Sequence, residues 1–269
     1  MNRGINLDYS VFSKAVIGYK NRVKHKSSQD YIYYKEYNDH ISVSIADGHG
    51  VDRCRFSHRG SEFASKACVH VFDYIFNEMK NLELYDIVKL LESNEYKKYI
   101  SIQVHEMWKE SVYKHFTNKI PNVYKIDYIL YGTTLIGALI TDKFNLYLQI
   151  GDGDILEYDN GKFDIITYDK KSNVKGVINS MYLNKAYKYI QIKYKLNDGS
   201  SNKSVILFSD GYSNSFKNNK ELFINTESTI LNYNKNVFTK HYLINEYDKY
   251  LDYLAINKSK DDISIIYII

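Results

Sequence analysis

Apolar and polar residues alternate through Ile41-Ser42-Val43-Ser44-Ile45-Ala46, and the run stops abruptly at Asp47-Gly48-His49-Gly50. A period of two predicts a strand with one buried face. A carboxylate on the last residue of such a strand is held rigidly at the sheet edge, and glycines after it let backbone approach what it binds. Asp-Gly after a strand is also a common hairpin turn, so this stretch alone leaves turn and binding site both open. Upstream, Val11 to Ile17 and Tyr31 to Tyr37 predict two more strands, joined by the basic polar segment from Lys20 to Asp30.

Downstream the period changes. Phe63, Ala67, Val71, Ile75 and Met79 recur every four residues and predict a long helix over Ser61 to Met79, with Ser61 and Glu62 as its start. Residues 85 to 118 repeat the helical signal in one or two helices, and Pro121 closes that region. Thr134 to Ile140, Phe144 to Ile150, Ile155 to Tyr158 and Phe163 to Tyr168 predict a meander of hairpins, in which Asn160-Gly161 is turn chemistry. Residues 169 to 186 are irregular, Tyr187 to Leu196 alternates again, and Val205 to Phe208 is a buried strand ending in Ser209-Asp210-Gly211. A helical stretch over 220 to 256 precedes Asp261-Asp262 and a last strand, Ile263 to Ile269. This order predicts an α+β class, dominated by antiparallel sheet with helices on the outer faces.

Composition narrows the class. At 269 residues, 44% hydrophobic and 25% charged, the chain is expected to form one globular domain over 1–269. Its 28 tyrosines and single proline read as a bias of the coding DNA. A net charge of +4 with scattered lysines argues against nucleic acid and suits a phosphorylated partner equally well. Cys54 and Cys68 lie too far apart for a zinc motif and fit a reducing compartment. The first residues lack the apolar core of a signal peptide, and the apolar stretch from Ile129 to Ile140 is broken by Gly132, Thr133, Thr134 and Gly137. A cytoplasmic protein without membrane association is expected.

The chemistry lies in acids at strand ends: Asp30, Asp47, Asp152, Asp210, and Asp261 or Asp262. Gathered at one edge they would repel severely unless divalent cations neutralised them. An all-oxygen donor set selects Mg²⁺ or Mn²⁺ over zinc. Two such ions about 3.5–4 Å apart lower the pKa of a shared water and aim it at phosphorus. His49 is the candidate general acid for the leaving alkoxide. Arg22 or His25, close to Asp30, is the candidate cation for the phosphate.

In order along the chain, Asp47-Gly48-His49-Gly50, Gly132-Thr133-Thr134, Gly151-Asp152-Gly153, Ser209-Asp210-Gly211 and Asp261-Asp262-Ile263-Ser264 resemble the motifs of the protein phosphatase 2C family of metal-dependent serine/threonine phosphatases. Gln29-Asp30 fits its N-terminal acidic motif, and the resemblance spans roughly residues 18 to 268. It implies a four-layer αββα sandwich of two antiparallel sheets flanked by helices. It also implies hydrolysis of phosphoserine and phosphothreonine on proteins by a water or hydroxide bridging two Mn²⁺ or Mg²⁺ ions. Asp47 then resembles the bridging carboxylate and Gly48 the carbonyl ligand, with Asp210 and Asp261 as further direct ligands. Asp30 resembles the residue holding the other ion's hydration shell, and Asp152 with Asp210 a third, weaker metal position found in many bacterial members. Gln29 stands where eukaryotic members carry Glu, His25 where they carry the phosphate-binding arginine, and Gly151-Asp152-Gly153-Asp154 replaces Gly-Asp-Ser-Arg, all of which resemble a bacterial subgroup. The implied partners are phosphoproteins, with a cognate kinase or its targets among them, and the protein is expected to be a monomer.

Rival readings fit less well. His105-Glu106 lacks the second histidine of a zinc protease, because position 109 is Lys109. Asp152-Gly153-Asp154 partly matches a haloacid dehalogenase nucleophile but lies inside a hairpin region, and Leu156 and Glu157 break the calcium-loop pattern. The alternative from a different class is an inactive pseudophosphatase acting as a binding module, in which ligand residues are typically lost.

Overall fold

A computed structural model describes residues 7, 9–120, 125–167, 179–197 and 203–269. Its strands are β1 (Val11–Val16), β2 (Asp30–Glu36), β3 (His40–Asp47), β4 (Leu135–Thr141), β5 (Phe144–Ile150), β6 (Asp154–Asp159), β7 (Lys162–Ile165), β8 (Gln191–Leu196), β9 (Lys203–Phe208) and β10 (Ile263–Ile268). The helices are α1 (Tyr19–Val23), α2 (Ser57–Met79), α3 (Leu84–Glu92), α4 (Asn94–Lys119), α5 (Asp210–Ser213), α6 (Asn219–Lys235) and α7 (Val237–Asn257). Two five-stranded antiparallel sheets result, one in the order β1-β10-β9-β6-β7 and the other β2-β3-β4-β5-β8. Two packed antiparallel sheets with helices on both outer faces are the expected αββα arrangement.

Three apolar layers hold it together. Between the sheets, Ile41, Val43 and Ile45 of β3 and Ile136, Ala138 and Ile140 of β4 meet Val205, Leu207, Ile266 and Ile268 from the facing sheet. The other face of the β2–β8 sheet packs Leu135, Leu139, Leu146 and Leu148 against Phe72, Ile75 and Met79 of α2 and Val104 and Trp108 of α4. Phe208, Ile265 and Tyr267 on the opposite outer face meet Leu251, Leu254 and Ala255 of α7. Central strands therefore bury both faces, which is why β4 and β5 read as nearly unbroken apolar runs.

Two expectations change. The predicted meander holds only as the hairpins β4–β5 and β6–β7, because β5 and β6 belong to different sheets and Gly151-Asp152-Gly153 crosses between them. Gly151 makes that crossing at φ +102°, where a Cβ would also fall 2.5 Å from the Thr134 side chain. Helix α2 starts at Ser57 and not at Ser61, and Ser61 Oγ instead donates to the carbonyls of Gln29 at 2.6 Å and His58 at 3.1 Å. The second turn of α2 is thus tied through the Ser61 side chain to Gln29, just before β2, a tertiary partner outside the local sequence window. The region 85–118 resolves into two helices, because Ser93 Oγ caps α4 by accepting from Tyr96 N at 3.3 Å. Pro121 and residues 169–178 of the irregular 169–186 segment lie outside the described residues.

Candidate active site

Antiparallel pairing sets Asp30, first residue of β2, directly opposite Asp47, last residue of β3. Paired positions present their side chains on the same face, so the Asp30 and Asp47 carboxyls are neighbours. The end of β3 is clamped from β4: Thr133 Oγ1 donates to the Asp47 carbonyl at 2.9 Å, Thr134 N does so at 2.8 Å, and Asp47 N donates to Thr134 Oγ1 at 3.2 Å. Gly48 pairs backbone with Thr133 in an isolated bridge, so Asp47-Gly48 is sheet edge and not a free hairpin turn. Gly132-Thr133-Thr134 therefore fixes the direction of Asp47.

The facing sheet closes the cluster. Ser209, at the end of β9, donates through Oγ to Asp30 Oδ2 at 2.8 Å and accepts from Ser264 N at 3.0 Å. One hydroxyl thus ties both sheets to Asp30. Asp210 opens α5 immediately afterwards, and Asn214 Nδ2 donates to its Oδ2 at 3.0 Å. Gly211 lets that turn sit against the 261–262 backbone, since a Cβ there would lie 1.9 Å from the Asp262 carbonyl oxygen. Ser209 and Gly211 were legible as part of a motif, but the bridging role of Ser209 depends on a partner in the other sheet.

Asp261 and Asp262 separate cleanly. Asp262 is buried and receives Gly18 N at 2.6 Å, Asn21 Nδ2 at 2.9 Å, Ser28 Oγ at 3.0 Å and Gln29 N at 2.6 Å. Its carboxylate organises the 18–29 loop. Asp261 is half-exposed and accepts from Lys20 Nζ at 2.9 Å. Lys20 is the site residue that sequence reading missed. Its pKa is raised by the hydrogen bond to Asp261, against the opposing effect of burial, and then by the charges of Asp261, Asp210 and Asp47. Arg22 points elsewhere, donating Nε to the Ile17 carbonyl at 2.7 Å and pairing with Asp252 of α7. His25 is exposed in a left-handed turn at φ +52°.

Burial, then the charge of Asp262, pushes the Asp30 carboxyl up to about 7. Asp47 is raised well above the carboxylate range by burial first, and then by Asp30, Asp210, Asp152 and Asp261 in turn. Its carboxyl therefore feels every acid of the predicted set, which places all five in one electrostatic neighbourhood. Burial pushes His49 down; its ring stands edge-on to Tyr182 at 6.0 Å, and its backbone N–H donates to the Gly132 carbonyl at 3.0 Å.

A divalent ion fits this chemistry. Asp30 Oδ1 is buried without a hydrogen-bond partner, and the donors are all hard oxygens. Among the described residues no three acidic, His or Cys side chains are already drawn into a closed metal cage.

The sequence model described as protein phosphatase 2C matches residues 17–243. The chain belongs to that family. No curated protein sequence matches. Among solved structures, the chain resembles the S. agalactiae serine/threonine phosphatase at 17% identity and TM-score 0.59, over 97% of this chain and 98% of that one. It resembles Stp1 from Staphylococcus aureus at 14% identity and TM-score 0.57, over 100% and 96%. A third is the catalytic domain of the phosphatase PstP in complex with two manganese ions, at 12% identity, TM-score 0.55 and 97% of both chains. These likenesses carry the fold, and phosphatase 2C membership makes the chain a protein phosphatase that depends on divalent metal.

Proposed function

We propose that the protein hydrolyses phosphoserine and phosphothreonine monoesters on other proteins at the Asp30–Asp47 cluster. The observation that carries this reading is the Asp30–Asp47 register pair, with Asp47 raised in turn by Asp210, Asp152 and Asp261. Asp47, Asp210 and Asp261 would hold one divalent ion. Asp47 and the Gly48 carbonyl would hold a second, with Asp30 ordering its water, and Asp152 with Asp210 would offer a weaker third position. When bound, Mn²⁺ or Mg²⁺ supplies neutralising charge and a water of lowered pKa.

The chain's own residues do the rest. Ser209 and the Thr133-Thr134 clamp hold Asp30 and Asp47 in register, so the donor oxygens need little reorganisation. Lys20, paired with Asp261, would move to the substrate phosphate, the part that sequence reading gave to Arg22 or His25. His49 would give a proton to the departing serine or threonine oxygen, which leaves poorly as an alkoxide.

Hydrolysis of p-nitrophenyl phosphate by purified protein with millimolar Mn²⁺ tests the site. Activity should fall at least about a hundredfold in Asp47→Asn and in Asp210→Asn. Turnover that survives both substitutions removes the proposed site. Metal binding by calorimetry without any turnover would favour the inactive binding module.

A further inference from the structure

Beside the cluster lies a second cleft, of about 250 Å³, lined by Lys26, Gln29, Gly50, Arg55, Ser57 and His58 among others. Its wall is continuous with the candidate centre. Gln29 precedes Asp30, Gly50 follows Asp47 by three positions, and Gly48 N donates to the Gln29 carbonyl at 3.1 Å. The floor is fixed, since Ser57 Oγ donates to Gln29 Oε1 and Ser61 Oγ to the Gln29 carbonyl. The rim carries Lys26, Arg55 and His58 against one carboxylate, Asp52. Arg55 is exposed, lies over the Phe56 ring at 5.0 Å, and makes no ion pair among the described residues. Among the described residues the Lys26 ammonium pairs with Asp52 at 3.4 Å, and that carboxylate is 98% exposed and contributes little. His58 adds a group that gains charge if an anion arrives. None of these residues is used by the proposed chemistry.

Resting on the phosphatase reading above, we propose that this cleft binds an anionic side chain of the substrate, a second phosphate or a carboxylate, within about three residues of the phosphoresidue being hydrolysed. Charge complementarity and continuity with the centre select that occupant. An extended peptide advances about 3.3 Å per residue, so a short step from the scissile phosphate reaches a cleft that shares backbone with the Asp30 and Asp47 strand ends. The protein would then prefer phosphorylated segments that are acidic or doubly phosphorylated.

The test uses the full chain with Mn²⁺ and phosphothreonine peptides that carry alanine, aspartate or phosphoserine two residues away, on either side. Both anionic peptides should exceed the alanine peptide about tenfold in kcat/KM, and Arg55→Glu should bring that ratio to about one, whatever the absolute rates. The phosphoserine and aspartate arms rank the two sources of the anion, and an advantage for either supports the cleft. A wild-type ratio near one, or a ratio unchanged by Arg55→Glu, overturns it. Fluorescence anisotropy with labelled peptides bearing a non-hydrolysable phosphonate decides the same question without turnover. If no peptide is hydrolysed, the phosphatase reading fails, whereas the cleft stands or falls on whether the anionic peptides bind more tightly and lose that advantage in Arg55→Glu.

Discussion

Asp30 and Asp47 are single carboxylates, yet each is defined by what faces it: Asp30 by Ser209 and Asp47, and Asp47 by Thr133, Thr134 and the other acids. His49 is the least constrained member, packed edge-on to Tyr182 and bonded through its backbone only among the contacts above. His49→Gln should lower kcat on phosphoserine peptides about a hundredfold and on p-nitrophenyl phosphate much less, because nitrophenolate leaves without a proton. Steady-state kinetics on both substrates checks this, and equal losses would argue against the general-acid role. Asp152 stands at the crossing between the sheets, and its charge bears on the Asp47 carboxyl. Asp152→Ala should raise the Mn²⁺ concentration needed for half-maximal rate about tenfold while both core ions stay bound, which a Mn²⁺-soaked crystal would reveal.

Elements matter through where their ends are fixed. The site is a meeting of strand ends, β2 with β3 in one sheet and β9 with β10 in the other, joined by Ser209 and by the close approach of Gly211 to Asp262. Gly211→Ala would force a Cβ into the Asp262 carbonyl, and a shift of that backbone moves both Asp210 and Asp261. The expected result is about 2 kcal/mol less stability together with weaker Mn²⁺ binding, measured by urea unfolding and calorimetry. Phe72→Ala in α2 gives the contrast. Phe72 is fully buried in the α2 layer, so its removal should cost about 3–5 kcal/mol in urea with Mn²⁺ affinity of the folded protein unchanged. If Gly211→Ala leaves metal binding intact, strand-end packing does not set the site.

At the scale of the whole molecule, the acid cluster trades stability against function. Asp30 and Asp47 are raised in the folded protein, Asp30 to about 7, and return to about 4 when unfolded. A carboxyl raised in this way stabilises the fold below its unfolded pKa and gives that up as pH rises through the folded value. His49, His58, His105 and His115 are lowered by burial and work in the opposite sense, so the bare pH curve is a sum. Asp30→Asn isolates the carboxylate. In EDTA the variant should gain stability over wild type progressively between about pH 4 and pH 7, and Mn²⁺ should reverse the order at the upper end. Melting temperatures with and without Mn²⁺ check this, and a constant difference across that range would contradict it. No helix among the described residues is long and apolar enough to cross a membrane. The period-two runs, the four-residue stripe of α2 and the acids followed by glycine were legible in the sequence, because periodicity and turn chemistry are local. So were the order of motifs and the family. Tertiary structure alone decided that β5 and β6 part into different sheets, that α2 begins at Ser57, that Asp262 is consumed by the 18–29 loop while Asp261 faces Lys20, and that Arg22 turns to Asp252. Each of these depends on a partner far away in the chain, and no local pattern encodes which distant group will be there to receive a hydrogen bond or a charge.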